Sequence, residues 1–261
     1  MKISNDWYKR FFRNSFYNPV TPASLKNARG EVSFIIRKTG VKKGEKILDV
    51  CCGPGRHSAL LAEKGFKVTG VDFSPEYLRE AAARAKKKGV RVKFVKKDAR
   101  KLRFQAEFGL ALNLFTSFGY FKRQEDDRRV LNGVSRALRP GGLFIMDFLN
   151  PDFFKKNYRR KNWEELEDGS WLLEETVLAP DGRACLNRWT RVKKGSAEKR
   201  TFFLRLYDKK RISAGLKKAG FCGFSFWGGF RGERLSPEKN RLIVMARKKG
   251  VKSAEKTSKR K

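Results

Sequence analysis

Histidine is almost missing from this chain: His57 is the single one among 261 residues. A histidine-based zinc site is thereby excluded, and the four cysteines, Cys51, Cys52, Cys185 and Cys222, lack the CxxC spacing of a thiolate metal site. No metal is expected. The chain is long enough to bury its own core without a disulfide scaffold, so the cysteines read as reduced thiols of a cytoplasmic protein. Acidic residues are scarce as well, 27 Asp and Glu against 62 Lys and Arg, a net charge of +35. Such an imbalance attracts phosphates and leaves nucleic acid open as a partner. Long apolar runs are absent: GGLFIMDFL stops after one strand's length, well short of the roughly 18 to 20 residues of a spanning helix, so no membrane partner is expected. Asn5, Asp6, Lys9 and Arg10 interrupt the opening residues, so a signal-peptide core is not expected there. Disorder over most of the chain is excluded by 40% hydrophobic and 13% aromatic residues.

What the chain does have is alternation. From Lys46, short apolar runs (KILDV, FKVTGVD, VRVKFVKKD, FGLALNLF, LFIMDFLN) trade with amphipathic stretches such as PEYLREAAARAKKKG and EDDRRVLNGVSRALRPGG. Strand-length runs between helical patterns predict βαβ units with right-handed crossovers and a parallel sheet. Ser74-Pro75 supplies an N-cap with proline in the first turn, and Gly89 closes that helix after Lys86-Lys87-Lys88. Arg139-Pro140-Gly141-Gly142 is expected to end the helix that starts near Glu125 and to turn the chain into the next strand. From about Ser170 to Leu206, apolar runs broken by Pro180-Asp181-Gly182 and Lys194-Gly195-Ser196 predict a three-stranded antiparallel meander. The organisation expected is a helical lid over 1–40, an α/β core over 41–154 and 207–248, a β-rich insertion over 155–206 and a basic disordered tail over 249–261.

The segment ILDVCCGPGRHSALL is a strand, a carboxylate, a glycine-bearing turn and a helix. Gly53 and Gly55 let the backbone bend sharply and pass close to a bound group at a helix N-terminus. The second strand ends in Asp72, where doubly wound folds place the carboxylate that binds ribose hydroxyls, so a nucleoside ligand is implied. These two features leave NAD and other nucleoside cofactors open. Asp49 ahead of the turn would repel pyrophosphate and complement a cationic amino-acid group. Asp98 accepts from an exocyclic amine and Ala99 offers a backbone N–H, a pair suited to a purine.

Taken in order, ILDVCCGPG, GVD, KKDA and LRPGG resemble the class I S-adenosylmethionine-dependent methyltransferases. The likeness covers most of residues 30 to 248, and DWYKRFF, LFTSFGYF, FLRLY and RLIVMARK extend it to a small bacterial-type subgroup. It implies a Rossmann-like seven-stranded sheet whose last strand, RLIVMARK, runs antiparallel. It also implies S-adenosylmethionine as cofactor. Asp49, Cys51, Gly53 and Gly55 would then line the methionine end, Asp72 with Phe73 the ribose and adenine, Asp98 and Ala99 the adenine edge, and Asn113 the reacting face. Two positions depart from the family: Cys51 stands where a glycine is common, and Gly109 where an aspartate commonly follows Phe108.

A sulfonium is an activated methyl donor, so holding the acceptor in line supplies much of the effect and no catalytic residue is assigned. His57 reads as a packing or capping residue, and Cys51 and Cys52 as buried loop residues rather than nucleophiles. The fourth strand ends in NLFTSFGYF rather than an NPPY-type motif, and no Pro-Cys dipeptide offers a nucleophile for pyrimidine methylation. The expected acceptor is therefore a small molecule methylated on N or O. Its pocket would draw on Tyr8 and Tyr17 from the lid, Phe115, Ser117 and Tyr120 after the fourth strand, and Asn150. Arg205 and Tyr207 at the end of the meander, and Trp227, complete that set. The alternative is an RNA or ribosome-associated methyltransferase, or a basic nucleic-acid-binding protein of the same fold.

Overall fold

The computed structural model describes residues 3–4, 7–12, 16–17 and 19–250. All but two residues of the expected basic tail lie outside that set. Helices α1 (Trp7–Phe11) and α2 (Pro22–Thr39) precede a core in which β1 (Lys46–Val50), α3 (Arg56–Glu63), β2 (Lys67–Asp72), α4 (Pro75–Lys87) and β3 (Lys93–Lys96) follow in turn. Then come β4 (Phe108–Asn113), α5 (Gln124–Ala137), β5 (Leu138–Leu149) and the short α6 (Pro151–Lys156). After an insertion, α7 (Lys209–Lys218), β10 (Phe221–Trp227) and β11 (Arg241–Lys248) are the last elements among the described residues. Among the described residues the main sheet has seven strands in the order β10-β11-β5-β4-β1-β2-β3. β1 pairs in parallel with both β2 and β4, whereas β11 runs antiparallel to β5 and β10, as the resemblance implied. Strand order reverses between β1 and β4, which opens a crevice at the strand C-terminal ends.

Alternate strand residues feed opposite faces, because side chains in a strand point up and down in turn. Leu48 and Val50 pack with Phe144, Met146 and α5 on one side. Ile47 packs with Leu110, Leu112 and α2 residues Val32 and Ile35 on the other. Ser74 caps α4 by accepting from Tyr77 N–H at 3.3 Å, with Pro75 at the first helical position. The Arg139–Gly142 segment is not a separate turn. It lies inside β5, which starts at Leu138 directly after α5, and the ladder to β4 shifts register between Phe108 and Leu110.

The insertion forms a second sheet with four strands rather than three: β6 (Lys161–Glu165), β7 (Trp171–Leu178), β8 (Ala184–Lys193) and β9 (Ser196–Arg205), all antiparallel. The unexpected strand, KNWEE, is exposed at every position and shows no apolar alternation. α1 packs on the insertion, with the Phe11 and Phe202 rings 4.6 Å apart.

The two departures from the resemblance sit in different surroundings. Cys51 adopts φ +62°, a left-handed conformation that glycine accepts most readily. A Cβ on Gly109 would stand 2.5 Å from the Glu45 carboxyl, which is paired to Arg139 at 2.6 Å, so an aspartate there would collide with and repel Glu45.

Candidate active site

At the end of β1 the backbone is left-handed at Cys51, Gly53 (φ +53°) and Gly55 (φ +73°). The two glycines serve different ends. A Cβ on Gly53 would meet nothing within 4 Å, whereas one on Gly55 would lie 2.7 Å from the Ala81 Cβ. Gly53 thus faces open space, and Gly55 lets the turn before α3 close against α4. The Asp72 carboxylate accepts from Gly53 N–H and Ser74 N–H, each at 2.9 Å, and ties the turn to β2. Burial nevertheless pushes its pKa up to about 6. Asp49, also buried, accepts from the Ser58 hydroxyl at 2.5 Å, and burial raises its pKa.

A cavity lies at the crevice between β1 and β4. Asp49, Cys51, Gly53, Asp72, Phe73, Asp98 and Ala99 all contribute to its wall. Asp98 reaches it with both oxygens already bonded to Arg100, at 3.0 and 2.6 Å, so that burial of the carboxyl is outweighed and its pKa is lowered. Tyr8, Tyr17, Phe115, Ser117 and Tyr120 lie in the same wall, beside the residues expected at the cofactor.

Six expected site residues lie outside this wall. Gly55 packs on α4. Asn113 donates to the Val50 carbonyl at 3.1 Å and locks β4 to β1. Asn150 caps α6 and donates to the Ser236 and Lys239 carbonyls at 2.9 and 2.8 Å. Trp227 packs edge-on against Phe34, 5.3 Å away, on the far side of the sheet. Arg205, expected in the acceptor pocket, has internal partners instead. Its guanidinium bonds the Asp127 carboxylate at 3.0 Å and the Phe121 and Lys122 carbonyls at 3.0 and 2.7 Å. Tyr207 donates to the same carboxylate at 2.7 Å. Arg205 and Tyr207 therefore hold β9 to α5.

Three features were not anticipated. Arg56 is buried in the cavity wall, donating to the Pro19 carbonyl at 2.9 Å with its guanidinium 4.2 Å over the Phe115 ring. His57, expected to pack or cap, is bound to Glu31 of α2 at 2.5 Å and also faces the cavity. Burial raises the Glu31 carboxyl, but the hydrogen bond and charge of His57 outweigh it and leave its pKa below the ordinary value. The third feature is a second chamber, roofed by the insertion sheet and reaching Leu149, Cys185, Trp189 and Phe202. It shares Tyr17, Thr116 and Tyr120 with the first cavity. The junction is rigid: Phe115 and Thr116 hold left-handed conformations, and their N–H groups donate to the Asp147 carboxylate at 2.9 Å and its carbonyl at 3.0 Å. Arg241 anchors Asp147 in turn through its Nε at 2.6 Å.

Residues 47–142 match the family described as "Methyltransferase domain", which spans β1 through the start of β5. YqeM of Bacillus subtilis (strain 168), named for methyl transfer, is 35% identical over 103 residues, which are 39% of this chain and 41% of that one. A glycine/sarcosine N-methyltransferase of Halorhodospira halochloris is 32% identical over 127 residues, 48% of this chain and 47% of its own. The chain thus spans less than half the length of these two relatives. The crystal structure of an S-adenosylmethionine-dependent methyltransferase from Clostridium acetobutylicum ATCC 824 superposes with a TM-score of 0.74, covering 85% of this chain and 92% of that one at 21% identity. Among the described residues no three His, Cys, Asp or Glu side chains cluster as a metal site, and no helix is long and apolar enough to cross a membrane. The match over residues 47–142, which hold the glycine turn and its flanking strands, makes this part of the chain a methyltransferase domain of the class I S-adenosylmethionine-dependent type.

Proposed function

We propose that this chain transfers the methyl group of S-adenosylmethionine to N or O of a small molecule seated between the core and the insertion sheet. The observation that carries the reading is the meeting of the two chambers at Tyr17, Thr116 and Tyr120. The first cavity fits the cofactor on its own chemistry. Asp72 uses one acceptance on each oxygen for Gly53 and Ser74 N–H, and a carboxylate has about four lone-pair sites, so ribose hydroxyls find acceptors there. Asp49 supplies negative charge for the ammonium of the methionine arm, Gly53 leaves room for a close approach, and Asp98 with Ala99 meets the adenine edge. The cofactor, when bound, supplies a methyl group already activated on a sulfonium. The protein's part is to point an acceptor lone pair along the bond that breaks and to keep water out, and the aromatic walls from Tyr17 and Tyr120 serve that end. The name of the Halorhodospira relative supports a small acceptor.

Removing the Asp72 carboxylate leaves ribose hydroxyls unpaired, a loss of about 1.5 to 3 kcal/mol. Asp72→Ala is therefore expected to weaken S-adenosylmethionine binding by about one to two orders of magnitude in titration calorimetry. Unchanged affinity in the folded variant would refute the cofactor assignment, and NADH binding of comparable strength would restore the dinucleotide reading.

A further inference from the structure

The insertion sheet turns one face toward the core, and a face so placed is ordinarily apolar. Here it is not. The ladders put Asn162, Glu174, Trp189 and Arg200 in one row across β6 to β9, and Thr176, Asn187 and Phe202 in the next. Asn162, Glu174, Thr176 and Asn187 all line the second chamber, between the aromatic walls and Leu204.

Glu174 stands out in a chain of 62 Lys and Arg. Among the described residues its hydrogen bond comes from Asn162 Nδ2 at 3.1 Å, and no cation lies within ion-pair distance. Its neighbour Glu175, on the opposite face, is paired with Arg188 at 3.0 Å and Arg160 at 4.0 Å. The chamber's own cations are placed elsewhere: Arg241 is neutralised by Asp147, and Arg159 is exposed at the rim. Asn187 is 6% exposed, and while its Oδ1 accepts from Thr176 at 2.8 Å, its Nδ2 finds only the Cys185 sulfur, a weak acceptor, at 3.3 Å. Beside these groups on the same sheet face are Trp189 and Phe202, 5.1 Å apart and perpendicular, with Tyr17 5.8 Å from Trp189. Aromatic faces beside a carboxylate that has no counter-charge are the chemistry that holds an ammonium ion.

We infer that the insertion sheet selects acceptors carrying a protonated amine, with Glu174 as the counter-charge and the Trp189, Phe202 and Tyr17 rings as the wall against which that amine lies. The inference rests on the reading of this chamber as the acceptor site. It concerns a recognition group at the far end of the acceptor, while the atom to be methylated reaches the junction at Thr116 and Tyr120. Burial, with Glu164 nearby, raises the Glu174 pKa, in keeping with a carboxyl whose partner arrives with the ligand. The net charge of +35 does not oppose this, because at physiological salt charges beyond about 8 Å are largely screened and the local carboxylate decides.

The test uses the full chain, S-adenosylmethionine with a labelled methyl group, and matched acceptors that differ in one group: tyramine against tyrosol, and 4-aminocyclohexanol against 1,4-cyclohexanediol. Binding of each probe to the cofactor-loaded protein is measured by calorimetry beside turnover. The wild type is expected to prefer the ammonium member of a pair by tenfold or more, about 1.4 kcal/mol. Glu174→Gln, which keeps the shape and the Asn162 contact, is expected to erase that preference with S-adenosylmethionine affinity and melting temperature unchanged. Glu174→Lys is expected to reverse it toward 4-hydroxyphenylacetate. Equal binding or turnover of charged and neutral members, no binding of any ammonium member, or a preference that survives Glu174→Gln each overturns the inference. Failure of the cofactor itself to bind would instead overturn the methyltransferase reading on which the inference stands.

Discussion

At Asp72 two influences oppose each other: Gly53 and Ser74 N–H groups favour the carboxylate, burial favours the acid, and burial wins, setting the pKa at about 6. Because the folded form holds its proton more tightly than the unfolded chain, this group's contribution to stability is fully present below the unfolded carboxyl pKa of about 3.9 and is lost as pH rises through about 6. The proposed ribose contact calls for the opposite state. S-adenosylmethionine affinity measured by calorimetry is therefore expected to climb between pH 5 and pH 7, with a midpoint near 6, and to be flat over that range in Asp72→Asn. Arg205 gives a contrasting case. Its carboxylate partner Asp127 is buried, so Arg205→Ala strands a charge and is expected to cost about 3 to 5 kcal/mol of stability in chemical denaturation, while the acceptor KM of the folded fraction stays the same. A raised KM at unchanged stability would return Arg205 to the acceptor site. Nothing in FFLRLY distinguishes an arginine aimed at a ligand from one aimed 78 residues back along the chain, and the Glu31–His57 pair, 26 residues apart, was hidden for the same reason.

At the scale of elements, the main sheet was legible because strands buried on both faces are largely apolar, and KILDV, FGLALN and LFIMDFL are so apart from Lys46, Asp49, Asn113 and Asp147. The glycine turn and the carboxylate ending the second strand were legible because backbone conformation and position in the fold dictate them. β6 was not, since an exposed edge strand has no apolar face to advertise, and KNWEE draws its order from pairing with β7. Nor did the aromatic residues near the N-terminus announce their partner. Trp7 and Phe11 pack on Phe202 of β9, so α1 rests on the insertion. Phe202→Ala is accordingly expected to speed hydrogen exchange in residues 7–11 and across β8 and β9, while β1, β4 and β5 keep their protection. Uniform loss of protection would show that the two sheets unfold as one unit.

For the molecule as a whole, the charge of +35 is spread over many elements, with basic residues in the last turns of α4, α6 and α7 alike. Self-repulsion of this size opposes the compact state, so raising NaCl from 50 to 500 mM is expected to raise the melting temperature and to abolish retention on polyanion resin. Methylation of a small acceptor is expected to persist at the higher salt, whereas a nucleic-acid substrate would be lost along a steep salt slope. Tyr17, Thr116 and Tyr120 belong to both chambers at once, and a partition with two tenants enforces reciprocity. By whatever factor S-adenosylhomocysteine in the cofactor cavity tightens the hold on an acceptor analogue, the analogue must tighten the hold on S-adenosylhomocysteine by the same factor. Calorimetry of the two ligands added in either order is therefore expected to return one and the same coupling factor.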